Sequence, residues 1–309
     1  LTEQDLSPSL AQEINNTAAQ AQDLQLRTEE LTTQLAQTTQ TIEQFIINIR
    51  QPPYNAKPAT DITDIINQAI TDANSRGGGK IFIPSYMHES YMIDAIKSIQ
   101  MKSNVTLELG DNATLEAITN NSGLYAIIKG TDVNNIAIIG RGKIKGERTT
   151  HTGTKGEWGM GIDIRGCTNV FIDKVTITDC WGDAIYIGAS DNKEYCENVT
   201  IDKLFADNNR RQGISVISVK TLRILNTTIK NTLGTSPQAG IDIEPNFPTQ
   251  RLEGIFIENY VSENNVYGIS LWLTNMVESK NPIDIFVKNF TDNGSTVGVR
   301  ISTSDAFSA

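Results

Sequence analysis

The tetrapeptide Asn169-Val170-Phe171-Ile172 returns 29 residues later as Asn198-Val199-Thr200-Ile201, with an apolar residue at every second position. Such alternation predicts short β-strands with one buried face. The same pattern gives seven anchor residues, Val105, Ile136, Val170, Val199, Leu222, Ile255 and Ile285, at steps of 31, 34, 29, 23, 33 and 30 residues. Repeats of about 20 to 50 residues are typical of a solenoid or a propeller.

A second short strand follows in most of these repeats, at residues 161–165, 184–187, 213–216, 240–244, 268–272 and 298–301. Two or three strands per turn, with helices nearly absent, predict an all-β chain that forms a parallel β-helix. A propeller blade needs about 40 residues or more and four strands. Nine residues after an anchor stands a polar residue that tolerates the left-handed conformation of a tight corner: Asp179, Asn208, Asn231 and Asn264.

The N-terminal fifty residues have a different pattern. Apolar or small residues recur in steps of four and three from Leu10 to Ile49, which is typical of a coiled coil. We predict a helical stalk from Ser7-Pro8 to Pro52-Pro53. Its seam contains Thr and Ala and is weak for a two-stranded coiled coil, so three helices are favoured over two. A solitary amphipathic helix on the next domain is the alternative. The expected domains are a trimeric coiled-coil stalk (1–50), a linker with the N-terminal cap (51–102) and the β-helix (103–309). The cap contains a helix at residues 61–75, and we expect the β-helix to continue beyond residue 309.

Composition narrows the class of protein. The 309 residues are 39% hydrophobic, enough for a buried core, and their net charge of −10 argues against a generic nucleic-acid binder. No apolar run approaches the roughly 18 residues of a membrane span. Three cysteines cannot all pair, which indicates a reducing place of synthesis. The first residue is Leu1 and no signal peptide is visible, so we expect a piece of a longer protein.

Two parts of the chain carry a family resemblance. Residues 60–120, with GGGKIFIP at 77–84, resemble the beginning of pectate-lyase-like right-handed β-helices. Residues 209–215 (NRRQGIS) and 240–246 (GIDIEPN) are similar to stretches of bacteriophage tailspike polysaccharide depolymerases. The resemblance implies a homotrimer that projects from a virion and degrades or grips a surface glycan. The Gly-His-Gly and Arg-Ile-Lys signatures of polygalacturonases are absent, so their mechanism is not carried over.

The second strands should stack in register, so that their outward residues form one ribbon about 25 Å long, at about 4.8 Å per coil. The inner row of the ribbon is Asp163, Tyr186, Ser215, Asp242, Ser270 and Arg300. The outer row is Arg165, Gly188, Ile217, Glu244, Trp272 and Ser302. Aromatic rings suit sugar faces, and arginines suit carboxylates or phosphates on a glycan.

Asp242 and Glu244 are the sharpest catalytic candidates. At positions i and i+2 of a strand, both carboxylates point outward with α-carbons about 6.7 Å apart, and glycoside hydrolysis needs two carboxyl groups. The spacing leaves retention and inversion of configuration open. The alternative is an ordinary solvated pair of acids.

Asp183 is the third catalytic candidate, because it stands just before a second strand two coils from Asp242. It would partner Asp242 in an inverting arrangement, or serve as a turn-forming aspartate. Arg210 and Arg211 occupy the same corner one coil on, where they would clamp an anionic sugar or neutralise the aspartates.

An inserted loop lengthens one repeat to 34 residues and brings His151, Glu157 and Trp158 together in the sequence. Such loops often line a binding face, which makes Trp158 a candidate. Together with residues of the ribbon and of the corner before it, the substrate-binding candidates are Asp163, Arg165, Tyr186, Arg210, Arg211, Trp272 and Trp158. A histidine base is disfavoured, and His88 falls in the cap. Cys167 and Cys196 should stack on adjacent coils as free thiols. We expect no cofactor and no dedicated metal site, although scattered carboxylates leave calcium open.

The favoured function is a viral tailspike that cleaves a bacterial capsule, lipopolysaccharide or teichoic acid, with glycosidic hydrolysis preferred. A polysaccharide lyase is the first alternative, with base and cationic support from Arg165, Arg210, Arg211 and Tyr186. A non-catalytic glycan-binding adhesin is the second. The expected partners are the bacterial polysaccharide, two further copies of the chain and other virion tail proteins, with no nucleic acid and no membrane insertion. The expected location is the virion, after synthesis in the host cytoplasm, with action at the bacterial surface.

Overall fold

The computed structural model describes residues 46–304, together with residues 12, 16, 17, 20, 21, 24, 25, 27 and 28. These nine N-terminal residues are helical and exposed, as the predicted stalk helix requires. The other heptad positions up to Phe45, and with them the predicted coiled coil, lie outside the described residues. The predicted helix extends too far at its end, because Ile46–Asn48 is a strand and Ile49 is fully buried.

Within residues 46–304 the structure has one α-helix, α1 (Thr63–Ser75), one short 3₁₀ helix (Thr274–Met276) and strands on three faces. The first face holds β1 (Ile46–Asn48), β2 (Gly79–Ile83), β5 (Val105–Leu109), β8 (Asn134–Ile139), β11 (Thr168–Asp173), β14 (Cys196–Asp202), β17 (Val219–Leu225), β20 (Leu252–Glu263) and β22 (Ile283–Asn293). The second face holds β3 (Tyr91–Ile93), β6 (Thr114–Ala117), β9 (Lys143–Lys145), β12 (Thr176–Thr178), β15 (Phe205–Asp207) and β18 (Thr228–Lys230). The third face holds β4 (Ile99–Gln100), β7 (Leu124–Thr131), β10 (Trp158–Arg165), β13 (Ile185–Gly188), β16 (Gln212–Val216), β19 (Ala239–Ile243), β21 (Tyr267–Trp272) and β23 (Val297–Ser302).

Each face is a stack of parallel strands, one from each turn of the chain. The third face is a separate eight-stranded sheet. The long strand β20 pairs with β17 through its first part and with β18 through its last residues, which joins the first two faces into one sheet. The chain therefore forms a parallel β-helix, as the repeat predicts.

The predicted anchors stack in register. Val170 pairs with Ile136 on one side and with Val199 on the other, and Leu222 pairs with Val199 and Ile255. The first six anchors and the apolar alternates of β10, β13, β16 and β19 are almost fully buried, because each coil presents its apolar positions to the interior. In the last coil, Ile285 is partly buried and Val299 and Ile301 are exposed. Each buried methylene group contributes about 0.8 kcal/mol of favourable free energy. This gain recurs from coil to coil and drives the stacking.

The corners use the predicted left-handed residues. Asp179, Asn208, Asn231 and Asn264 have φ of 58°, 57°, 54° and 52°. The Asn208 amide donates to Asp179 Oδ1 at 2.6 Å, and Asn264 donates to Asn231 Oδ1 at 2.7 Å. Each such bond contributes about 1 kcal/mol, so the corner residues stabilise both the turn and the stacking of successive coils.

The solenoid begins earlier than predicted. Strand β2 pairs with β5, β3 with β6 and β4 with β7, so residues before 103 already form a coil. Helix α1 packs beside this coil, with Ile66 and Ile70 fully buried. The helix starts where Asp61 Oδ1 accepts a hydrogen bond from the Thr63 amide at 2.9 Å. In the described part of the chain, no helix is long and apolar enough to cross a membrane.

Candidate functional site

The ribbon on the third face has the predicted register. Asp163 pairs with Tyr186, Tyr186 with Ser215, Ser215 with Asp242, and Asp242 with Ser270. Asp242 is 1% exposed, so the alternative of an ordinary solvated acid does not hold for Asp242. Longer neighbouring side chains cover Asp242. The Gln212 amide, for example, donates to Asp242 Oδ2 at 2.9 Å.

Arg211 contacts three carboxylates at one edge of this face. Its Nε lies 3.3 Å from Glu157 Oε1, its Nη1 3.2 Å from Asp183 Oδ2 and its Nη2 3.7 Å from Glu244 Oε2. We call these four residues, with Asp242, the Arg211 cluster. The predicted catalytic residues thus lie together, and Glu157 joins them.

Asp183 is fully buried and is held by two donors. Ser215 Oγ donates to Asp183 Oδ2 at 2.8 Å, and Arg211 donates to both carboxylate oxygens. Burial raises the pKa of Asp183 to about 6, against the opposing effect of Arg211 and Ser215. Asp183 is not the turn-forming residue of its coil, since Asp179 occupies the left-handed corner.

Gly182 permits this placement of Asp183. A Cβ atom at residue 182 would lie 2.4 Å from the Glu157 carbonyl oxygen and 2.7 Å from the Gly159 amide nitrogen. Because both obstructing atoms belong to the backbone, no side chain fits here. The chain therefore passes close to the neighbouring coil just before Asp183.

Asp242 and Glu244 differ in environment although they belong to one strand end. Glu244 has about a third of its side chain exposed, whereas Asp242 is buried and its Oδ1 has no hydrogen-bond partner within the described structure. Burial, followed by the negative charge of Glu244, raises the pKa of Asp242 to about 8. Burial and the charge of Glu244 thus favour the protonated form of Asp242, which is the form that a general acid needs.

A groove of about 780 Å³ lies along the N-terminal part of the third face. Four predicted substrate-binding residues line it: Trp158, Asp163, Arg165 and Tyr186. Phe247 and Asn246, in the loop after β19, also line the groove, and their position could not be read from the repeat. Arg210, Arg211 and Trp272 are not among the residues that line it.

Arg165 is committed to neighbours inside the groove. Its Nε donates to Asp163 Oδ1 and Oδ2 at 2.8 and 3.0 Å, and its guanidinium lies 4.2 Å above the Tyr186 ring. Burial raises the pKa of Tyr186, which disfavours its predicted part as the base of a lyase.

Arg210 and Trp272 also make specific contacts. The Arg210 guanidinium lies 3.7 Å above the Trp181 ring, and its Nη1 donates to the Trp181 carbonyl at 3.1 Å. The Arg300 guanidinium lies 5.1 Å from the Trp272 ring, and its Nη2 donates to Ser270 at 2.7 Å.

A buried polar cluster beside the groove was missed by the sequence analysis. Glu147 Oε1 accepts a hydrogen bond from Tyr125, lies 2.8 Å from His151 Nδ1, and is 3% exposed. The His151 ring stacks on Trp181 with 3.9 Å between centroids. His151 is thus enclosed as a packing residue, in line with the doubt about a histidine base. The pairing of His151 with Glu147 at i and i+4 was a signal available in the sequence.

The cysteines are free and buried, as predicted. The Cys167 amide lies 3.4 Å from Cys196 Sγ, so these two stack on adjacent coils. Within the residues that the structure describes, there is no group of three or more His, Cys, Asp or Glu side chains placed to hold a metal ion.

Comparison with known proteins identifies the fold family. Residues 100–284 match the family described as right handed beta helix region. The chain belongs to this right-handed β-helix family. The match covers more than half of the chain and includes Asp183, Arg211 and Asp242, so the candidate site lies within the family region.

Two curated relatives come from Bacillus subtilis strain 168. The uncharacterized protein YclG is 31% identical over 226 residues, which cover 65% of this chain and 38% of that protein. The SPbeta prophage-derived uncharacterized protein YorA is 28% identical over 218 residues, covering 62% of this chain and 36% of that protein. This β-helix chain therefore spans less than two fifths of either relative's length.

Solved structures share the fold at low sequence identity. An exopolygalacturonase of family 28 from Yersinia enterocolitica aligns with a TM-score of 0.63 and 17% identity, over 84% of this chain and 55% of that one. Pre-mature gene product 12 of bacteriophage phi29 aligns with a TM-score of 0.61 and 18% identity, over 88% and 35%. A double mutant of the tailspike protein of E. coli bacteriophage HK620 aligns with a TM-score of 0.56 and 14% identity, over 85% and 48%. At these identities the likeness concerns the right-handed β-helix fold alone.

Proposed function

We propose that this chain binds a bacterial cell-surface polysaccharide and cleaves it by glycosidic hydrolysis, as the β-helix part of a phage tailspike. The observation that carries the proposal is the Arg211 cluster, in which one arginine holds three carboxylates beside the proton-bearing Asp242. Glycoside hydrolysis uses one carboxyl group that keeps its proton and one that is ionised.

In this mechanism Asp242 is the general acid and donates its proton to the glycosidic oxygen. Glu244, whose side chain is partly exposed, activates water or stabilises positive charge on the sugar. Arg211 contacts Glu244 from the buried side, and Asp183 holds Arg211 in place. Access to Asp242 requires a neighbouring side chain to move. The Arg211–Glu244 contact is the longest of the three ion pairs, at 3.7 Å, and is the first that we expect to open.

The groove supplies the substrate-binding part of the proposal. Trp158 is 41% exposed and Phe247 63% exposed, so both offer open ring faces to sugars. Residues of the groove and of the Arg211 cluster are neighbours in sequence at Glu157 and Trp158, and again around Glu244 and Asn246. A glycan in the groove would thus pass beside the carboxylates.

The viral setting of the proposal draws on the comparisons. The relatives include a prophage-derived protein, and the fold neighbours include two bacteriophage proteins. We therefore propose a homotrimer on a virion, assembled with other tail proteins, whose substrate is a capsule, lipopolysaccharide or teichoic acid. The heptad pattern of residues 10–45 supports the trimer.

The test compares Asp242→Asn with Glu244→Gln on extracted host polysaccharide, with chain cleavage and binding measured separately. We expect each variant to lose about 10² to 10⁴-fold in cleavage rate while binding stays within about threefold, since neither residue lines the groove. Chromatography of the products then identifies the new chain end. Growth of the ultraviolet absorbance of an unsaturated sugar in step with cleavage would show a lyase instead.

A non-catalytic adhesin is the second candidate, and the burial of Asp183 and Asp242 favours it, since neither is accessible as the chain stands. Binding of a host polysaccharide without release of any new chain end, by wild type and variants alike, would establish the adhesin.

A further inference from the structure

We infer that the glycan segment in this groove is uncharged, that is, a polysaccharide whose bound units carry no carboxylate, phosphate or sulfate. The inference rests on the proposed function and names the substrate class of the same site.

The first observation is the charge of the groove. Four of its lining residues are charged, Lys129, Asp163, Arg165 and Asp191, and their formal charges cancel. The remaining lining is uncharged, with aromatic rings from Tyr125, Trp158, Tyr186 and Phe247 among neutral amides and hydroxyls. Ring faces and neutral hydrogen-bonding groups match the apolar faces and hydroxyls of sugars.

The second observation concerns the two cations. The Nε of Arg165 is bonded to both carboxylate oxygens of Asp163, and the guanidinium lies over the Tyr186 ring, so the positive charge of Arg165 is already offset by a neighbouring carboxylate. Lys129 stands beside Asp163 in the strand register, and its charge acts on the same carboxyl group. Asp163 is therefore flanked by both cations of the groove.

The third observation is the Arg211 cluster. Arg211 contacts the carboxylates of Glu157, Asp183 and Glu244, and the next cation, Arg210, is stacked on Trp181. With Asp242 protonated, the remaining carboxylates still outnumber Arg211. An anionic unit at the cleavage point would be repelled, and like charges in a partly buried site cost several kcal/mol. An uncharged unit meets no such penalty.

The inference also bears on the reaction. A lyase abstracts a proton beside a uronate carboxylate, so an uncharged glycan leaves no substrate for elimination. Hydrolysis has no such requirement. The neutral groove and the paired carboxyl groups thus point to the same chemistry.

The experiment uses the full chain and surface polysaccharides extracted from a panel of bacteria, each prepared native and after chemical reduction of its carboxyl groups. Binding is followed by quenching of tryptophan fluorescence. We expect the bound members to be neutral, and we expect affinity to change less than about twofold between about 0.05 and 0.5 M NaCl, because screening acts on charges alone. Reduction of an acidic member should leave its binding unchanged or improve it.

Lys129→Gln is the matched variant, because Lys129 lines the groove and the substitution removes one of its two cations while keeping a side chain of similar length. We expect less than a threefold change in affinity. An acidic glycan bound tightly, lost on carboxyl reduction or weakened more than tenfold in Lys129→Gln, overturns the inference and leaves the proposed function standing. If no polysaccharide of the panel is bound, both are overturned.

Discussion

Nη1 of Arg211 lies 3.2 Å from Oδ2 of Asp183, and the Asp183 side chain has no exposed surface. An ionised carboxylate in this position depends on that cation, because burial alone favours the protonated form. The contact therefore links the stability of the coil to the electrostatics of the candidate site.

Arg211→Met tests this dependence. Removing one partner of a buried ion pair costs about 3 to 5 kcal/mol, and we expect the loss in unfolding free energy to be larger at about pH 8 than at about pH 5, where Asp183 takes up a proton more readily. Urea unfolding at the two pH values measures it. The control is Arg141→Met, which breaks the exposed Arg141–Asp111 pair at 3.5 Å and should cost less than about 1 kcal/mol. Equal losses in the two variants would contradict the prediction.

Asp242 should make stability depend on pH. The pKa of Asp242 is raised from 3.8 to about 8 in the folded chain. The contribution of Asp242 to stability is therefore full below the pKa of the unfolded chain, falls as the pH rises above it, and is lost once the pH passes about 8. Asp242→Asn removes this loss. We expect the variant to gain on wild type by about 1.4 kcal/mol per pH unit inside that window.

Denaturant unfolding at several pH values between about 5 and 9 measures the difference between the two proteins. The exposed Asp111→Asn serves as the control and should track wild type throughout. A constant offset between Asp242→Asn and wild type at every pH would show that Asp242 titrates normally.

Phe247→Ala should weaken glycan binding. Phe247 is 63% exposed and lines the groove, and an aromatic contact contributes about 0.5 to 1.5 kcal/mol beyond its buried area. We expect affinity to fall roughly 2- to 12-fold, measured by titration with the polysaccharide that the wild type binds. Phe286→Ala is the control, since Phe286 is 54% exposed on β22 of the first face. The groove assignment fails if both variants bind equally well.

Gly182→Ala should destabilise the chain. The new Cβ would meet the Glu157 carbonyl oxygen at 2.4 Å, and forced overpacking costs about 1 to 3 kcal/mol. Thermal unfolding measures the effect. Gly298→Ala is the matched control on the same face, because the nearest atom to its Cβ is 3.8 Å away. A melting temperature unchanged in Gly182→Ala would mean that the two coils can separate there at little cost.

The register of the coils could be predicted from the sequence. The seven anchors, the second strands and the left-handed corners at Asp179 and Asn208 all follow from local patterns, since each coil repeats the same apolar alternation and the same turn. The ribbon rows followed from that register. The last heptad and the start of the solenoid were misplaced, because Ile49 is apolar in either context and the coil before residue 103 lacks the repeat's regular spacing.

Local sequence patterns are enough to predict a parallel β-helix in which Asp242 and Glu244 stand at one strand end and Asp183 lies two coils away. The tertiary structure alone decided that Asp242 is buried, that Arg211 joins Asp183 to Glu157 and Glu244, and that Glu147 binds Tyr125 and His151. The physical reason is the range of the contacts. Strand alternation is set by neighbouring residues, whereas Arg211 and Asp183 are 28 residues apart and meet across coils. Burial under neighbouring side chains raises the pKa of Asp183 and of Asp242, and this burial exists only in the folded chain.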